Sequence, residues 1–232
     1  MLRLEQVSKV YQRGSTSIAG VDRVSLEVAA GEFCAFIGPS GCGKSTLLNL
    51  VAGLDSPTTG EIILDGRATG RFSPDDWTQV RREEIGIVFQ AFHLVPGLSA
   101  EENVAFPLLL RGERGGPMQR RVAEVLDLVG MGHRRRHRPG ELSGGEQQRI
   151  AIARAVVHGP KLIVADEPTG NLDSQQGAAV VDLLKTLADQ DRRTVLLATH
   201  SGEAAGAAHY VWIMRDGRLI ERTAPNLLSL GR

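Results

Sequence analysis

Phe33-Cys34-Ala35-Phe36-Ile37-Gly38-Pro39-Ser40-Gly41-Cys42-Gly43-Lys44-Ser45-Thr46 is the stretch on which the reading of the fold turns. Phe33 to Ile37 is a short apolar run of buried-strand type, and it ends directly at a glycine-rich turn. Lys44 to Ala52, with Leu47, Leu48, Leu50 and Val51 apolar, reads as a helix. Between them, Gly38 to Ser45 fits the spacing G-x-x-x-x-G-K-[ST]. A polyphosphate needs many inward-pointing backbone N–H groups, and glycines let the chain wrap tightly enough to supply them. The helix that follows offers its N-terminal dipole to the same anion. Lys44 is then placed to reach the β- and γ-phosphates, and the Ser45 hydroxyl to bind Mg²⁺. Cys42 contributes its backbone N–H rather than a nucleophilic thiol.

Working outward, short apolar runs alternate with helical stretches, the pattern of an α/β domain. Val24–Val28, Glu61–Leu64, Ile85–Phe89, Lys161–Ala165 and Thr194–Ala198 read as strands, and Ser174–Ala188 as a helix. Tyr210–Met214 and Arg218–Glu221 read as a hairpin about Asp216-Gly217. Pro225–Leu230 reads as a small helix. From about Ser99 to Pro139 the character becomes helical, with Ala100–Leu110 and Gln119–Val129 separated by a break at 112–117. A further helix runs from Gly144 to about Val157.

Leu162-Ile-Val-Ala-Asp166-Glu167 is a hydrophobic strand ending in two carboxylates. In open α/β sheets ligands bind at such carboxyl ends. Asp166 is expected to hold Mg²⁺ through water, and Glu167 to polarise an attacking water. These features are shared by kinases, switch GTPases, helicases and transport ATPases, so they leave the reaction type open.

Leu142-Ser143-Gly144-Gly145-Glu146-Gln-Gln-Arg149 narrows it. A serine followed by two glycines at a helix start is a second anion-binding element. This stretch resembles the signature motif of the ATP-binding cassette (ABC) family, and the resemblance covers about Leu2 to Glu221. It implies a P-loop α/β fold: a RecA-like core, an antiparallel β subdomain and a helical insertion. The whole chain, 1–232, then forms a single ATP-binding domain, with the helical subdomain at about 96–155. It implies that Leu142 to Glu146 contact the nucleotide held by a second copy, in a head-to-tail homodimer formed with ATP. By the same resemblance Tyr11 stacks on adenine, Gln90 senses Mg²⁺ and the γ-phosphate, Asp173 lies at the dimer interface, and His200 contacts the γ-phosphate and Glu167. Glu167 and His200 are the catalytic pair, and Ser45, Gln90 and Asp166 the groups near the metal.

Arg81 to Pro96, Glu102 to Leu108 and Ala165 to Asp173 look like the lipoprotein-releasing and macrolide-exporting branch of that family. Glu146 departs from the glutamine usual there. The resemblance implies an integral membrane permease partner with a large extracytoplasmic domain. The alternative is a cell-division or cell-wall regulator that signals mechanically. Phe92, Leu94, Val95, Pro96 and Leu98 are the apolar cluster expected at that junction.

Composition is consistent with this. Twenty-seven basic residues balance 27 acidic ones, so no nucleic-acid partner is expected. Two cysteines, Cys34 and Cys42, form no metal-type spacing and fit a reducing compartment. The start, with charges at Arg3 and Glu5, lacks a signal-type apolar stretch, and no run reaches 18 apolar residues. The expected location is cytoplasmic, peripheral on the inner face of the cell membrane through a partner chain. The run His133 to Arg138 reads as a solvated basic loop.

Overall fold

Among the residues that the computed structural model describes, 1–14 and 16–225, strands precede and follow a block of helices. β1 (Leu2–Arg13) and β2 (Thr16–Val28) form a long antiparallel hairpin, and β3 (Phe33–Ile37) leads into α1 (Lys44–Val51). β4 (Thr59–Leu64) and β5 (Arg67–Ala68) precede α2 (Pro74–Glu83) and β6 (Ile85–Val88). Then come α3 (Ala100–Leu110), α4 (Gly115–Leu128) and α5 (Gly144–Val156). β7 (Leu162–Asp166), α6 (Ser174–Asp189), β8 (Thr194–Thr199), α7 (Gly202–Ala205), β9 (Tyr210–Arg215) and β10 (Arg218–Thr223) follow.

The strands make two sheets, ordered β2-β1-β4-β5 and β10-β9-β3-β8-β7-β6. The first is antiparallel. In the second, β9, β3, β8, β7 and β6 run parallel, and β10 joins antiparallel at one edge. Side-chain alternation along the parallel strands builds two cores, one on each face. Phe33, Ala35, Ile163, Ala165, Val195 and Leu197 face the helical side, where they meet Ile150, Ile152 and Val156 of α5. Cys34, Phe36, Leu162, Val164, Leu196 and Ala198 face α1 and the antiparallel sheet. Helix α1 is thus packed between the two sheets, with Leu47, Leu48, Leu50 and Val51 buried. Each large apolar side chain so buried contributes roughly 1.5–3 kcal/mol.

Among the described residues the expected strands and helices are present, with differences at their edges. β2 begins eight residues before the expected Val24, and β1 was not anticipated. Helix α2 is a further element, one with only Trp77 and Val80 buried. Its start is a capping box: Ser73 Oγ accepts from Asp76 N, Asp76 Oδ2 accepts from Ser73 N at 2.8 Å, and Pro74 stands in the first turn. α4 opens at Gly115 rather than Gln119, because Pro117 lies in the first turn, where an N–H has no partner to lose. Residues 226–230 of the expected C-terminal helix lie outside the described residues.

The register positions the site. Ile37 pairs with Thr199, Asp166 with Ala198 and Val88 with Ala165, so four parallel strands stop at one level. Gly38, Gln90, Glu167 and His200 each follow such a strand end.

Candidate active site

The loop after β3 is shaped by backbone crowding that only glycine accommodates. A Cβ on Gly38 would lie 2.2 Å from the Met214 carbonyl oxygen and 2.7 Å from Cys42 Sγ. Gly43 sits at φ 106°, and a Cβ there would lie 2.1 Å from the Gly20 carbonyl oxygen. Pro39, Ser40 and Gly41 form the exposed crest. Cys42 is buried, and its N–H donates to the Pro39 carbonyl at 3.3 Å.

Lys44 opens α1 and is only 6% exposed. Its Nζ donates to the carbonyls of Gly38 (2.8 Å) and Pro39 (3.2 Å), and stands 3.7 Å from Glu167 Oε1. The ammonium therefore lies inside the curl of the loop, as a phosphate-facing cation requires. Ser45 Oγ donates to Asp166 Oδ1 at 3.0 Å. Burial at the end of β7 pushes the Asp166 carboxyl up; the Ser45 bond and Lys44 oppose this, and the adjacent Glu167 charge adds to it.

Glu167 leaves the strand in a left-handed conformation, φ 46°. Such a conformation is costly for a non-glycine residue and needs its surroundings to enforce it. Its N–H donates to the Ala198 carbonyl at 2.9 Å, and its Oε2 accepts from the His200 backbone at 3.3 Å and lies 2.9 Å from His200 Nδ1. Residue 167 is therefore held at its main chain by β8 and at its side chain by His200, just beyond that strand. Gln90 is exposed beyond β6, where it exchanges bonds with Asn171: Asn171 Nδ2 donates to the Gln90 carbonyl at 3.0 Å, and Gln90 Nε2 to Asn171 Oδ1 at 3.3 Å.

Tyr11, 40% exposed, stands at the mouth of this region. A Cβ on Gly20 would be 2.9 Å from the Tyr11 ring and 3.0 Å from Thr46, so ring, glycine and loop end adjoin. The Tyr11 hydroxyl donates to Asp55 at 2.8 Å, and Lys9 pairs with the same carboxylate at 2.5 Å. Asp55 had no signal in the sequence, since it lies in the bend after α1, far from Tyr11 along the chain, and meets it only through the fold.

The segment Leu142 to Glu146 lies elsewhere. Ser143 caps α5: its Oγ accepts from Glu146 N, and Glu146 Oε2 accepts from Ser143 N at 2.8 Å. Gly145 N donates to Gln176 Oε1 at 2.8 Å, and a Cβ at that glycine would lie 2.4 Å from the same oxygen. Asp173 caps α6 through the Gln176 N–H at 2.8 Å. No hydrogen bond or ion pair among the described residues joins Leu142–Glu146 to Gly38–Thr46. One chain presents two separate glycine-bearing helix starts, at Gly43-Lys44 and at Ser143-Gly144.

Three groups of sequence-identified residues are therefore brought together (Gly38–Thr46, Asp166–Glu167 and His200), Gln90 and Tyr11 flank them, and the signature segment stands apart. Sequence reasoning missed the half-buried Arg154, whose guanidinium donates to the carbonyls of Phe92 (2.7 Å) and His93. Phe92 and His93 are both left-handed, at φ 55° and 50°. Of the apolar cluster beside them, Leu94 packs on the helical core while Val95 and Pro96 are exposed.

A fold of this topology, with a lysine loop after one central strand and paired carboxylates ending another, defines a P-loop nucleotide-binding protein. The family model described as ABC transporter matches residues 21–170, and the chain belongs to that family: it is an ABC transporter ATP-binding domain and an ATPase. An uncharacterised ABC transporter ATP-binding protein of Methanocaldococcus jannaschii is 43% identical over 221 residues, covering 95% of this chain and 98% of that one. The macrolide export ATP-binding/permease protein MacB of Brucella abortus is 41% identical over 223 residues, covering 96% of this chain and 34% of the relative. The chain thus spans about a third of that relative's length. Among solved structures, the dimeric ATP-binding cassette MJ0796 in a post-hydrolysis state, bound to ADP and Pi, matches with a TM-score of 0.90 and 40% identity over 97% of this chain and 99% of that one.

Proposed function

We propose that this ATPase works as a pair of identical chains beneath a membrane permease, each chain completing the other's nucleotide site. The observation that carries the reading is the separation of the two helix starts. The loop at Gly38–Thr46 has Lys44, Glu167 and His200 beside it, whereas Ser143, Gly144 and Gly145 open a different helix with no bond to that loop. A second anion-binding element with no anion to serve in its own chain fits a head-to-tail pair. The dimeric MJ0796 cassette is consistent with this.

In that assembly Gly38 to Thr46 wrap the phosphates of ATP, Tyr11 faces the adenine, and Lys44 neutralises the β/γ charge. Leu142 to Glu146 of the partner close over the γ-phosphate, with Asp173 at the same interface. Glu167 orients and deprotonates the attacking water, and His200 holds Glu167 in place. Ser45 Oγ and Asp166 Oδ1, 3.0 Å apart beside the loop, are hard oxygen donors of the type that suits Mg²⁺, with Gln90 close to that region. Bound there, Mg²⁺ would neutralise phosphate charge.

Among the described residues no helix is long and apolar enough to cross a membrane. The permease is a separate partner on this reading, and the chain sits on the cytoplasmic face of the membrane through it. The exposed Val95 and Pro96, following Gln90, suit the docking surface. The 41% identity to a macrolide export ATP-binding/permease protein supports an export-type permease partner; on our reading that partner carries an extracytoplasmic domain and serves lipoprotein release or export of macrolides or peptides. Purification of the tagged chain from its native membranes tests this. A co-purifying polypeptide with four spans and a large extracytoplasmic domain supports it; recovery with a many-span importer subunit, or with no membrane protein, contradicts it.

A further inference from the structure

The basic run 133–138 is not a uniformly solvated loop. Arg134 ends a 3-10 turn over Gly132–Arg134, its Nε donates to Glu146 Oε1 at 3.1 Å, and its Nη1 lies 3.1 Å from His137 Nε2. Arg135 pairs with Glu101 at 3.1 Å. Only the first of these contacts touches the signature segment. There Glu146 has a double task. Its Oε2 fixes the Ser143 N–H at 2.8 Å, and its own N–H donates to Ser143 Oγ at 3.3 Å. The Ser143 N–H bond and then Arg134 hold the Glu146 carboxyl below the usual carboxylate range, against the opposing effect of burial, so it is ionised at neutral pH.

A glutamine would cap Ser143 through the same oxygen without a charge. The carboxylate instead places a negative group beside the serine that meets a triphosphate, and like charges at an interface oppose closure. Arg149, one turn along α5, lines the same cavity as Ser143 and Glu146 but bonds elsewhere: its Nη1 donates to the Val129 carbonyl at 3.4 Å. Arg134 is thus the cation bonded to Glu146 among the described residues.

We infer that Arg134 is a positioning residue for the nucleotide contact made across the dimer: it cancels the Glu146 charge, so that Glu146 can fix Ser143 without repelling the other copy's γ-phosphate. The inference rests on the reading that Leu142–Glu146 closes on a second copy's ATP. Its role is at the interface rather than in the fold, because a partly exposed ion pair contributes little to stability.

The test is a double-mutant cycle on association of the Glu167→Gln chain with saturating Mg·ATP, followed by sedimentation equilibrium. Arg134→Ala is expected to weaken association about tenfold when Glu146 is present, and less than about twofold when Glu146→Gln is present, with the thermal midpoint unchanged in both. Arg134→Lys, which keeps the charge, restores most of the loss. An equal loss in both backgrounds, or no loss beside Glu146, overturns the inference. Ser143→Arg separates the two claims: if it leaves ATP-dependent association intact, the reading of a shared site fails instead.

Discussion

Glu167 and His200 are tied through a single oxygen: Glu167 Oε2 receives the His200 backbone N–H at 3.3 Å and lies 2.9 Å from the His200 ring nitrogen Nδ1. The other carboxylate oxygen lies 3.7 Å from the Lys44 ammonium. One carboxylate therefore spans Lys44 and His200, and two outcomes follow, one from neutralising the carboxylate and one from removing the histidine.

Replacing Glu167 by Gln keeps the shape and the His200 backbone bond but removes the proton acceptor. Turnover is expected to fall roughly 10²–10⁴-fold, the usual contribution of a positioned base. ATP affinity should persist. Phosphate release, read beside a nucleotide-binding titration, checks this split.

Replacing His200 by Ala removes the side-chain bond that fixes Glu167 and leaves the backbone bond. A loss in kcat of about tenfold or more is expected, with KM for ATP little changed, because misplacing a base raises the barrier without removing ground-state binding. Steady-state kinetics distinguishes this from a binding defect, which would raise KM.

Asp166 gives a pH-dependent stability effect with a defined sign. Burial raises its folded-state pKa above the unfolded value. The folded state therefore binds the proton more tightly, and ionisation costs stability at pH values above the unfolded pKa. In the absence of nucleotide and divalent cation, Asp166→Asn should raise Tm at neutral pH, by ~2–4 °C for each kcal/mol relieved. The difference should vanish as pH falls below the ordinary carboxylate range. Calorimetry at neutral and acid pH measures it, and ATP turnover should be lost in the same variant.

Gly43→Ala meets both a left-handed backbone and the Gly20 carbonyl 2.1 Å from the new methyl. A loss of at least about 1–3 kcal/mol of stability is expected, together with loss of nucleotide binding. Denaturant unfolding and an ATP titration test the two parts. Gly41→Ala is the control, since nothing lies within 4 Å of a Cβ there; its strain comes from φ alone.

Arg154→Met should leave the Phe92 and His93 carbonyls without their half-buried donor, costing about 0.5–1.5 kcal/mol. Amide exchange is expected to rise over residues 91–98 first, because that turn holds two left-handed residues together. Exchange confined to other segments would refute the strut role.

Much of this was legible in the sequence because the signals are local. The apolar runs of β3, β7 and β8, the glycine spacing before Lys44 and the carboxylates ending β7 are each read within ten residues. What escaped was carried by distance or by weak local signals. β1 mixes Arg3, Glu5 and Lys9 among its apolar residues, so its pairing with β2 and β4, not its composition, makes it a strand. Helix α2 buries only Trp77 and Val80, too few for a periodic stripe, although its capping box was readable. The contacts Tyr11–Asp55, Arg134–Glu146 and Arg154–Phe92 join elements whose approach is set by tertiary packing. Glu167's left-handed backbone has the same origin: the strand end, not the residue type, imposes it.

The central claim is that each nucleotide site is completed by the other chain's Ser143 segment. The most direct measurement is the mass of the Glu167→Gln chain by sedimentation, with and without Mg·ATP, and again with Ser143→Arg added. Doubling of the monomer mass with Mg·ATP, abolished by Ser143→Arg, is the predicted result. A monomer at saturating Mg·ATP, or a dimer indifferent to Ser143→Arg, would contradict the account.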